Sequence, residues 1–481
     1  MFMKSKFNFR IFLFIIILIF CEAYYIKEGH ASNSEFTNFT FGSNYLSRYS
    51  ESENTNIFQK ILSHNSQLFL WLGNAVYLDK PTFNYFQSSP DDDIMNWEIV
   101  KAIYKKVKKN IYYDKFRKKT PIVGTWGDEE YGVNNGNEDN KLKEGYKQYY
   151  LDFLEVAQNE GRREYQNLGI YSTYSFGQKE KTVRFIILDL KYNQKSYLKE
   201  GTNDMLGEQQ WEWLENIFKF KSETYTFICA SNQILSNDRF IMKKWYSNSR
   251  KKLFDLIGKY KKSGVIFLTG GLGFSQILKT FCPLPNIGYN LYEFTSSGLS
   301  HINKLSNFWN NFYHNDYLIE GTNYDEVNFG QVKINWGDKN INESFVELEI
   351  WDKDDNKVTG IKINYNDLLF RENSEDYYLN ENNLKEIEYM NIHSGEDCQR
   401  EIYHRVRTPL MVLKYYFTHW NQLPKGIFTS IIIIIFVETL FSKRFYFIFI
   451  FAIICFLFYC VMIYIEINKY NKFRNEILNI E

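Results

Sequence analysis

The sequence predicts an α/β fold in which helices cover sheets of buried strands. Continuous apolar segments such as Thr182–Leu190, Thr224–Ala230 and Val265–Thr269 are typical of strands with both faces covered. Between them, Leu206–Phe218 and Ser249–Tyr260 place their apolar residues at helical spacing. Buried strands that alternate with amphipathic helices indicate a layered α/β core.

The flanking parts of the chain extend this pattern. Further strands are predicted at Phe36–Ser43, Leu68–Leu72, Pro121–Trp126, Phe329–Trp336 and Ser344–Trp351, the last two as a pair. Further helices are predicted at Asn56–Ser63, Asp91–Lys109 and Glu144–Asn159. Because ligands of α/β folds gather at the carboxyl ends of strands, the residues that follow the strands are the candidates for a site.

Composition excludes some classes of protein. The 481 residues carry 57 basic and 57 acidic side chains, so the chain has no net charge and we expect no nucleic-acid partner. Six cysteines are present, and only Cys229, Cys282 and Cys398 lie between the apolar segments at the two ends. Three cysteines cannot all pair with one another, so no disulfide framework is predicted.

The amino-terminal segment is typical of a secretory signal peptide. Lys4, Lys6 and Arg10 precede the apolar run Ile11–Phe20, and small residues follow it. The run is far shorter than the ~20 residues that a spanning helix needs, which favours cleavage near Ala23. The alternative is a signal anchor that stays in the membrane.

The carboxyl-terminal part contains two apolar runs. Residues 445–465 are long enough to span a bilayer, while residues 425–441 are marginal and include Glu438. Lys443 and Arg444 between them would face the cytosol by the positive-inside rule, which returns the tail 466–481 to the lumen. The alternative is one span preceded by a re-entrant or interfacial segment, with the tail in the cytosol.

These segments define the predicted organisation and location. Residues 1–23 form the signal peptide, 36–363 the main domain and 364–424 a polar linker or stalk. We expect a protein of secretory-pathway membranes or the cell surface, with its main domain lumenal or extracellular. Two sequons, at Asn38 and Asn342, would then be open to glycosylation.

Several motifs, in order and at the right spacing, resemble one family over roughly Phe36 to Ile363. They include "FTFGSNY", "LFLWLGNAVYLD", "GTWGDEEYGVNNGN", "FIILDLKY", "MLGEQQWEWLE", "FLTGGLGFSQI" and "LYEFTSSGLSH". The chain is similar in these motifs to the PhoD-like phosphatases, a branch of the binuclear metallophosphatases. The resemblance implies a four-layer αββα sandwich and a site that holds two metal ions.

The chain departs from the family pattern mainly at the positions of the metal ligands. The resemblance places Asn44 where the family has a cysteine and Asn74 where it has the bridging aspartate. Gly127, Asp128 and Glu129 stand at its Asp-Asp-His trio, and Glu130 at the aspartate after it. Gly271 and Gly273 stand at its Asp-His pair. Restoring ligands would therefore need at least Asn74→Asp, Gly271→Asp and Gly273→His.

The remaining side chains leave two interpretations of the site open. Two metal ions about 3.5–4 Å apart need anionic oxygen and imidazole ligands, which an amide and two glycines do not supply. Asp128, Glu129 and Glu130 could offer carboxylates, and Asp128 is the one candidate metal ligand; the alternative is a solvated acidic loop. If the site is active, the metal would be calcium, iron, manganese or zinc.

Other polar residues have mainly structural interpretations. Tyr77 and Tyr131 are expected to pack, and His64 to lie at the surface or cap its helix. Asp189 should pair with Lys191 or cap a backbone turn. Asp238 and Arg239 should form an ion pair or a strand-end hydrogen bond, and His301 could lie near the cleft mouth.

Two hypotheses of function follow. In the first, the protein is a membrane-anchored, degenerate phosphatase whose domain binds or scaffolds an unknown protein or phosphorylated ligand. In the second, it is an active metal-dependent phosphomonoesterase or phosphodiesterase with a rearranged site. The loss of ligands favours the first hypothesis, while the second rests on the family resemblance alone.

Overall fold

A computed structural model describes the main domain of the chain. It covers residues 35–46, 57–78, 97–164, 168–196, 204–220, 223–236, 245–280, 283–284, 286–303, 315, 317–338 and 340–372. No helix within these ranges combines the length and the apolar character needed to cross a bilayer. The predicted signal peptide and both carboxyl-terminal apolar runs lie outside the described residues.

The described residues form two mixed six-stranded sheets. The first has the order β12-β11-β10-β1-β2-β3 and the second β4-β5-β6-β7-β9-β8. The strands are β1 Asn38–Gly42, β2 Phe69–Leu72, β3 Ile122–Thr125, β4 Ser172–Gln178, β5 Lys181–Ile187, β6 Tyr225–Ala230, β7 Val265–Thr269, β8 Gln276–Lys279, β9 Tyr292–Thr295, β10 Asn328–Asn335, β11 Phe345–Asp352 and β12 Lys357–Asn364.

Within the described residues, six helices accompany the sheets. They are α1 Ile57–Ser63, α2 Trp97–Lys109, α3 Ile111–Arg117, α4 Lys143–Phe153, α5 Glu208–Lys219 and α6 Ser247–Lys259. Apolar residues of α1 to α4 share one core cluster with Phe69 and Trp71 of the first sheet. Residues of α5 and α6 pack in the other cluster, with β5 to β7 of the second sheet. The helices therefore form the two outer layers.

Aromatic side chains hold the two sheets face to face. Phe39 of β1 contacts Phe185 of β5 and Phe227 of β6 edge to face, with ring centroids 4.8 and 5.0 Å apart. Phe41 meets Phe294 of β9 in the same geometry at 4.9 Å. Alternation along β1 and β2 turns one set of side chains to this interface and the other to the helices, as the two-residue period of a strand requires.

The central strands and helices are confirmed close to their predicted bounds. The structure adds strands that the sequence did not predict, namely β4, β8, β9 and β12. The predicted helix Glu144–Asn159 ends early, because Glu155 has a left-handed backbone (φ 59°) just after the cap at Leu154. The helix predicted through Lys109 is followed directly by α3, whose amino terminus is capped by the Asn110 side chain.

Candidate functional site

The carboxyl ends of the strands gather the predicted site residues at one edge of the sandwich. Asn44 follows β1 and Asn74 follows β2, both in the left-handed region with φ of 59° and 53°. Asparagine tolerates this conformation better than most residues. The Asn74 Nδ2 donates a hydrogen bond to the Asn44 Oδ1 at 2.9 Å, so the two amides are paired with each other.

The other end of the Asn74 amide faces the loop after β3. Its Oδ1 accepts a hydrogen bond from the Glu129 N–H at 3.4 Å. The same oxygen occupies the space that a Cβ atom at Gly127 would need. The Asn74 side chain therefore occupies the space where a side chain at residue 127 would begin. A metal-ligand side chain at residue 127 would require Asn74 to move.

The glycine loop Gly270–Gly273 is held by hydroxyl groups. The Ser43 Oγ accepts a hydrogen bond from the Gly271 N–H at 3.0 Å. The Ser297 Oγ accepts from both the Leu272 and Gly273 N–H groups at 2.8 Å. These backbone donors are therefore already satisfied within the protein, which leaves them no role in cradling a phosphate.

The backbone conformation of this loop disfavours the metal-ligand side chains that the family has at residues 271 and 273. Gly271 and Gly273 have φ of 75° and 82°, a region that residues with a Cβ atom rarely adopt. A Cβ at Gly271 would overlap the Ser231 carbonyl oxygen, and one at Gly273 would lie 3.0 Å from the Asn303 backbone nitrogen. Gly271→Asp and Gly273→His are therefore sterically costly. The sequence analysis, which derived these two substitutions from the family pattern alone, did not include this cost.

Asp128 lies in a buried ion pair. Its carboxylate is 2.6 Å from the Lys191 Nζ, and the side chains are only 5% and 1% exposed. The Asp128 Oδ1 also accepts a hydrogen bond from the Asn135 N–H at 3.0 Å. The interpretation of this segment as a solvated acidic loop is wrong for Asp128 and Glu130, which are both buried; only Glu129 is partly exposed.

Glu130 ties together the loops after β2 and β3. Its carboxylate accepts hydrogen bonds from the N–H groups of Asn74 (3.0 Å), Val76 (3.1 Å) and Gly127 (2.9 Å), and from that of Ala75. Burial raises the pKa of this carboxyl to about 7, although the backbone donors act in the opposite direction. Glu130 therefore orders the loops around the candidate site.

Glu293 has the same role in the second sheet, which sequence analysis missed. This buried residue of β9 accepts hydrogen bonds from the N–H groups of Ile234 (3.0 Å) and Leu235 (2.7 Å), and from the Thr269 hydroxyl (2.7 Å). It thereby fixes the loop after β6 against the end of β7. The signal in the sequence was an acidic residue inside an otherwise buried strand.

Asp189 links the loops of both sheets. As predicted, it caps a backbone turn, because its Oδ1 accepts the N–H groups of Lys191 and Tyr192 at 2.8 and 3.1 Å. The same oxygen accepts from the Trp126 indole at 2.8 Å, and the Oδ2 accepts from the Ile170 N–H. The Lys191 ammonium turns instead to Asp128.

The histidines take different positions from one another. The His301 N–H donates to the Asn44 carbonyl at 3.0 Å, and its ring packs on Tyr77, which places it beside the candidate site. His64 is largely buried rather than at the surface, with its ring against Phe329 and Trp351.

The two tyrosines are packed, as expected. Tyr131 is fully buried against Trp126 and donates to the Asn137 carbonyl at 2.8 Å. Tyr77 is partly buried in its contact with the His301 ring. Asp238 and Arg239 lie outside the described residues.

The donor set does not fit a pair of metal ions. Asn74 is paired with Asn44, residues 127, 271 and 273 have no side chain, Asp128 is neutralised by Lys191, and Glu130 is occupied by backbone donors. Among the described residues, no group of three or more histidine, cysteine, aspartate or glutamate side chains is arranged to hold a metal ion. A hydrolytic step through a metal therefore cannot be derived from these residues.

Comparisons with known proteins agree with the fold. No protein-family model matches the sequence. No curated protein matches it either. The structure of PhoD is similar over 75% of this chain and 78% of that chain, with 14% identity and a TM-score of 0.52.

Two further solved structures show weaker similarity. GAP50, described as the anchor in the inner membrane complex of Plasmodium, matches 68% of this chain and 89% of that chain with 11% identity and a TM-score of 0.41. A putative 5'-nucleotidase from Staphylococcus aureus, in complex with alpha-ketoglutarate, matches 74% and 58% with 11% identity and a TM-score of 0.29. The two six-stranded sheets and the similarity to PhoD show a metallophosphatase-like fold.

We predict that Asp128→Ala destabilises the protein strongly. Removing the carboxylate leaves the Lys191 ammonium buried without its counter-ion, a change that typically costs about 3–5 kcal/mol. The measurement is the free energy of unfolding by urea. Asp255→Ala is the matched control, because its pair with Lys251 is exposed (50% and 76%) and such pairs contribute at most about 1 kcal/mol. Equal effects of the two substitutions would contradict the buried pair.

We also predict a pH dependence of stability that depends on Glu130. Between about pH 4.5 and 7 the folded protein keeps a proton on this carboxyl that the unfolded chain has released. The free energy of unfolding should therefore fall as the pH rises through this window, by at most about 1.4 kcal/mol per pH unit. Glu130→Gln cannot titrate, so the stability difference between wild type and variant isolates this contribution. A difference that is constant from pH 4 to 8 would refute the prediction.

Proposed function

We propose that this protein is a PhoD-like phosphatase-family protein that has lost the binuclear centre and serves as a binding or scaffold domain. The observation that carries the proposal is the Asn44–Asn74 amide pair, with Asn74 filling the space beside Gly127. A metallophosphatase needs charged ligands at this point, because two dications must be neutralised and must activate a water molecule. Two neutral amides that satisfy each other supply neither.

The charge distribution around this pair supports the proposal. The Lys191 ammonium pairs with Asp128 in the loop after β3, and a fixed positive charge disfavours a dication nearby. Glu130 already accepts hydrogen bonds from residues of the loops after β2 and β3. Loops that are ordered without metal in this way suit a domain that binds a protein or a phosphorylated ligand without turnover.

Membrane attachment is a further part of the proposal. The apolar run 445–465, with or without 425–441, would anchor the domain, and the signal peptide would place it in the lumen or outside the cell. Lys443 and Arg444 would face the cytosol.

Topology can be tested by protease protection of sealed vesicles that carry the full chain. We expect the main domain, residues 36–363, to resist protease added from the cytosolic side and to be digested once the vesicles are opened with detergent. A lumenal marker protein controls for sealing. Digestion of the domain in sealed vesicles would refute the proposed orientation.

Catalysis can be tested with chromogenic phosphomonoester and phosphodiester substrates, with manganese, iron, zinc or calcium added in turn. We expect no hydrolysis above background for the full-length protein or for Asn74→Asp, because one returned carboxylate leaves residues 271 and 273 without ligands. Elemental analysis should find no stoichiometric transition metal.

The alternative of a rearranged active site predicts a different result. Wild-type turnover that is lost in Asp128→Asn, with folding of the variant verified by its near-ultraviolet circular dichroism, would support a phosphatase that uses Asp128. Two tightly held transition-metal ions per chain would likewise refute the non-catalytic proposal.

A further inference from the structure

Positively charged side chains are concentrated on the helical pair α2–α3, although the chain as a whole has no net charge. Residues 97–119 contain nine lysine and arginine residues and two acidic ones, against a net charge of zero for the whole chain. Lys101, Lys105 and Lys109 repeat every four residues on α2, opposite its buried apolar residues. The charge therefore lies on one outward face, which we call the basic face.

The second helix of the pair continues the basic face. Tyr113 and Phe116 of α3 are buried, so Ile111, Lys115 and Lys118, at offsets of four and seven, point to solvent. Both helices line one groove of about 720 Å³, whose rim carries Lys101, Lys105 and Lys109. The outward faces of the two helices thus form one continuous surface.

Part of this charge is already used in the fold, and part is not. Lys108 and Arg117 pair with Glu155 at 2.8 and 2.6 Å, and Lys118 pairs with Asp114 at 2.5 Å. Within the described part of the chain, four exposed lysines of residues 97–119 have no such ion pair: Lys105, Lys109, Lys115 and, just after α3, Lys119. Unpaired lysines clustered on one surface favour an anionic partner.

One apolar side chain lies among these lysines. Ile111 is 75% exposed at the start of α3, directly after the Asn110 cap and on the same face as Lys115. Exposed aliphatic side chains with lysines around them are typical of surfaces that rest on the headgroup region of a bilayer, where the apolar group enters the acyl boundary.

The groove is less suited to nucleic acid. Binding of single strands relies on aromatic rings that are free to stack with bases. Here Tyr104 and Phe153 are buried, and the Tyr149 ring is stacked on Trp97 with centroids 5.5 Å apart. These three aromatic rings of the groove are therefore not free to stack with bases, while lysines line its rim.

We propose that the basic face docks on an anionic phospholipid membrane through its lysines, with Ile111 entering the headgroup layer. Each lysine close to such a surface raises the binding constant by a factor of about five, and the effect falls away within one Debye length. Docking needs a leaflet that carries anionic lipid on the side of the membrane where the domain lies. The proposal does not depend on whether the cleft is catalytic.

The test is lysine footprinting of the full chain with an excess of lipid nanodiscs. An amine-reactive acylating reagent is applied with discs of neutral phosphatidylcholine, or with discs containing about one third phosphatidylserine, and mass spectrometry measures acylation at each lysine. We expect Lys105, Lys109, Lys115 and Lys119 to react at least ~5-fold more slowly with the anionic discs. Lys251 and Lys259 of α6, in the opposite outer layer and 76% and 61% exposed, should be unchanged.

Two changes should remove the protection. Raising the salt from about 0.1 to about 1 M shortens the Debye length from about 10 to about 3 Å and should abolish it. The variant with Lys105, Lys109, Lys115 and Lys119 replaced by glutamine should lose protection at Lys101 and Lys118. A matched variant with Lys251, Lys252, Lys259 and Lys261 replaced by glutamine should keep the protection of the basic face.

The role of Ile111 is tested by Ile111→Asp. Because the side chain is 75% exposed, the variant should fold normally and lose most of the protection by anionic discs. Equal acylation with neutral and anionic discs would overturn the proposal. So would protection by duplex DNA in the presence of neutral discs together with none by anionic discs, which would identify a nucleic-acid surface.

Discussion

Buried carboxylates that accept backbone N–H groups hold the strand-end loops of this domain. Glu130 does so for the first sheet, Glu293 for the second, and Asp189 joins the two. A loop that leaves its N–H groups buried and unpaired loses roughly 1–3 kcal/mol for each, and a carboxylate can satisfy several at once. These three side chains therefore tie the strand-end loops to one another.

This arrangement gives a physical reason for the neutral residues of the site. In a binuclear enzyme the metal ions themselves would draw the surrounding loops together, and the ligands would carry the compensating charge. Here the protein supplies its own internal charges, and Lys191 balances Asp128 within the fold. Once the loops are ordered in this way, the buried positions Asn44 and Asn74 can be uncharged.

The sequence predicted the central architecture because buried strands and amphipathic helices have distinct periods. It missed β4 and β12, whose residues are mostly half-buried or exposed and show no apolar run. It also missed β8 and β9, where Gln276, Lys279 and Glu293 interrupt strands of only four residues, so that no continuous apolar run is present. The sequence also identified the candidate site residues, because they directly follow predicted strands. It could not predict that Asp128 pairs with Lys191, because these residues are far apart in the chain and only the fold brings them together.

The left-handed glycines of the Gly270–Gly273 loop also limit the order in which mutations could accumulate. A ligand at residue 271 brings a Cβ atom toward the Ser231 carbonyl before any metal is present to compensate for the strain. A ligand at residue 127 likewise requires Asn74 to give way first. Each step toward a binuclear centre would therefore lower stability before it gained activity. A binuclear centre of the family's pattern at these positions would therefore need several simultaneous changes.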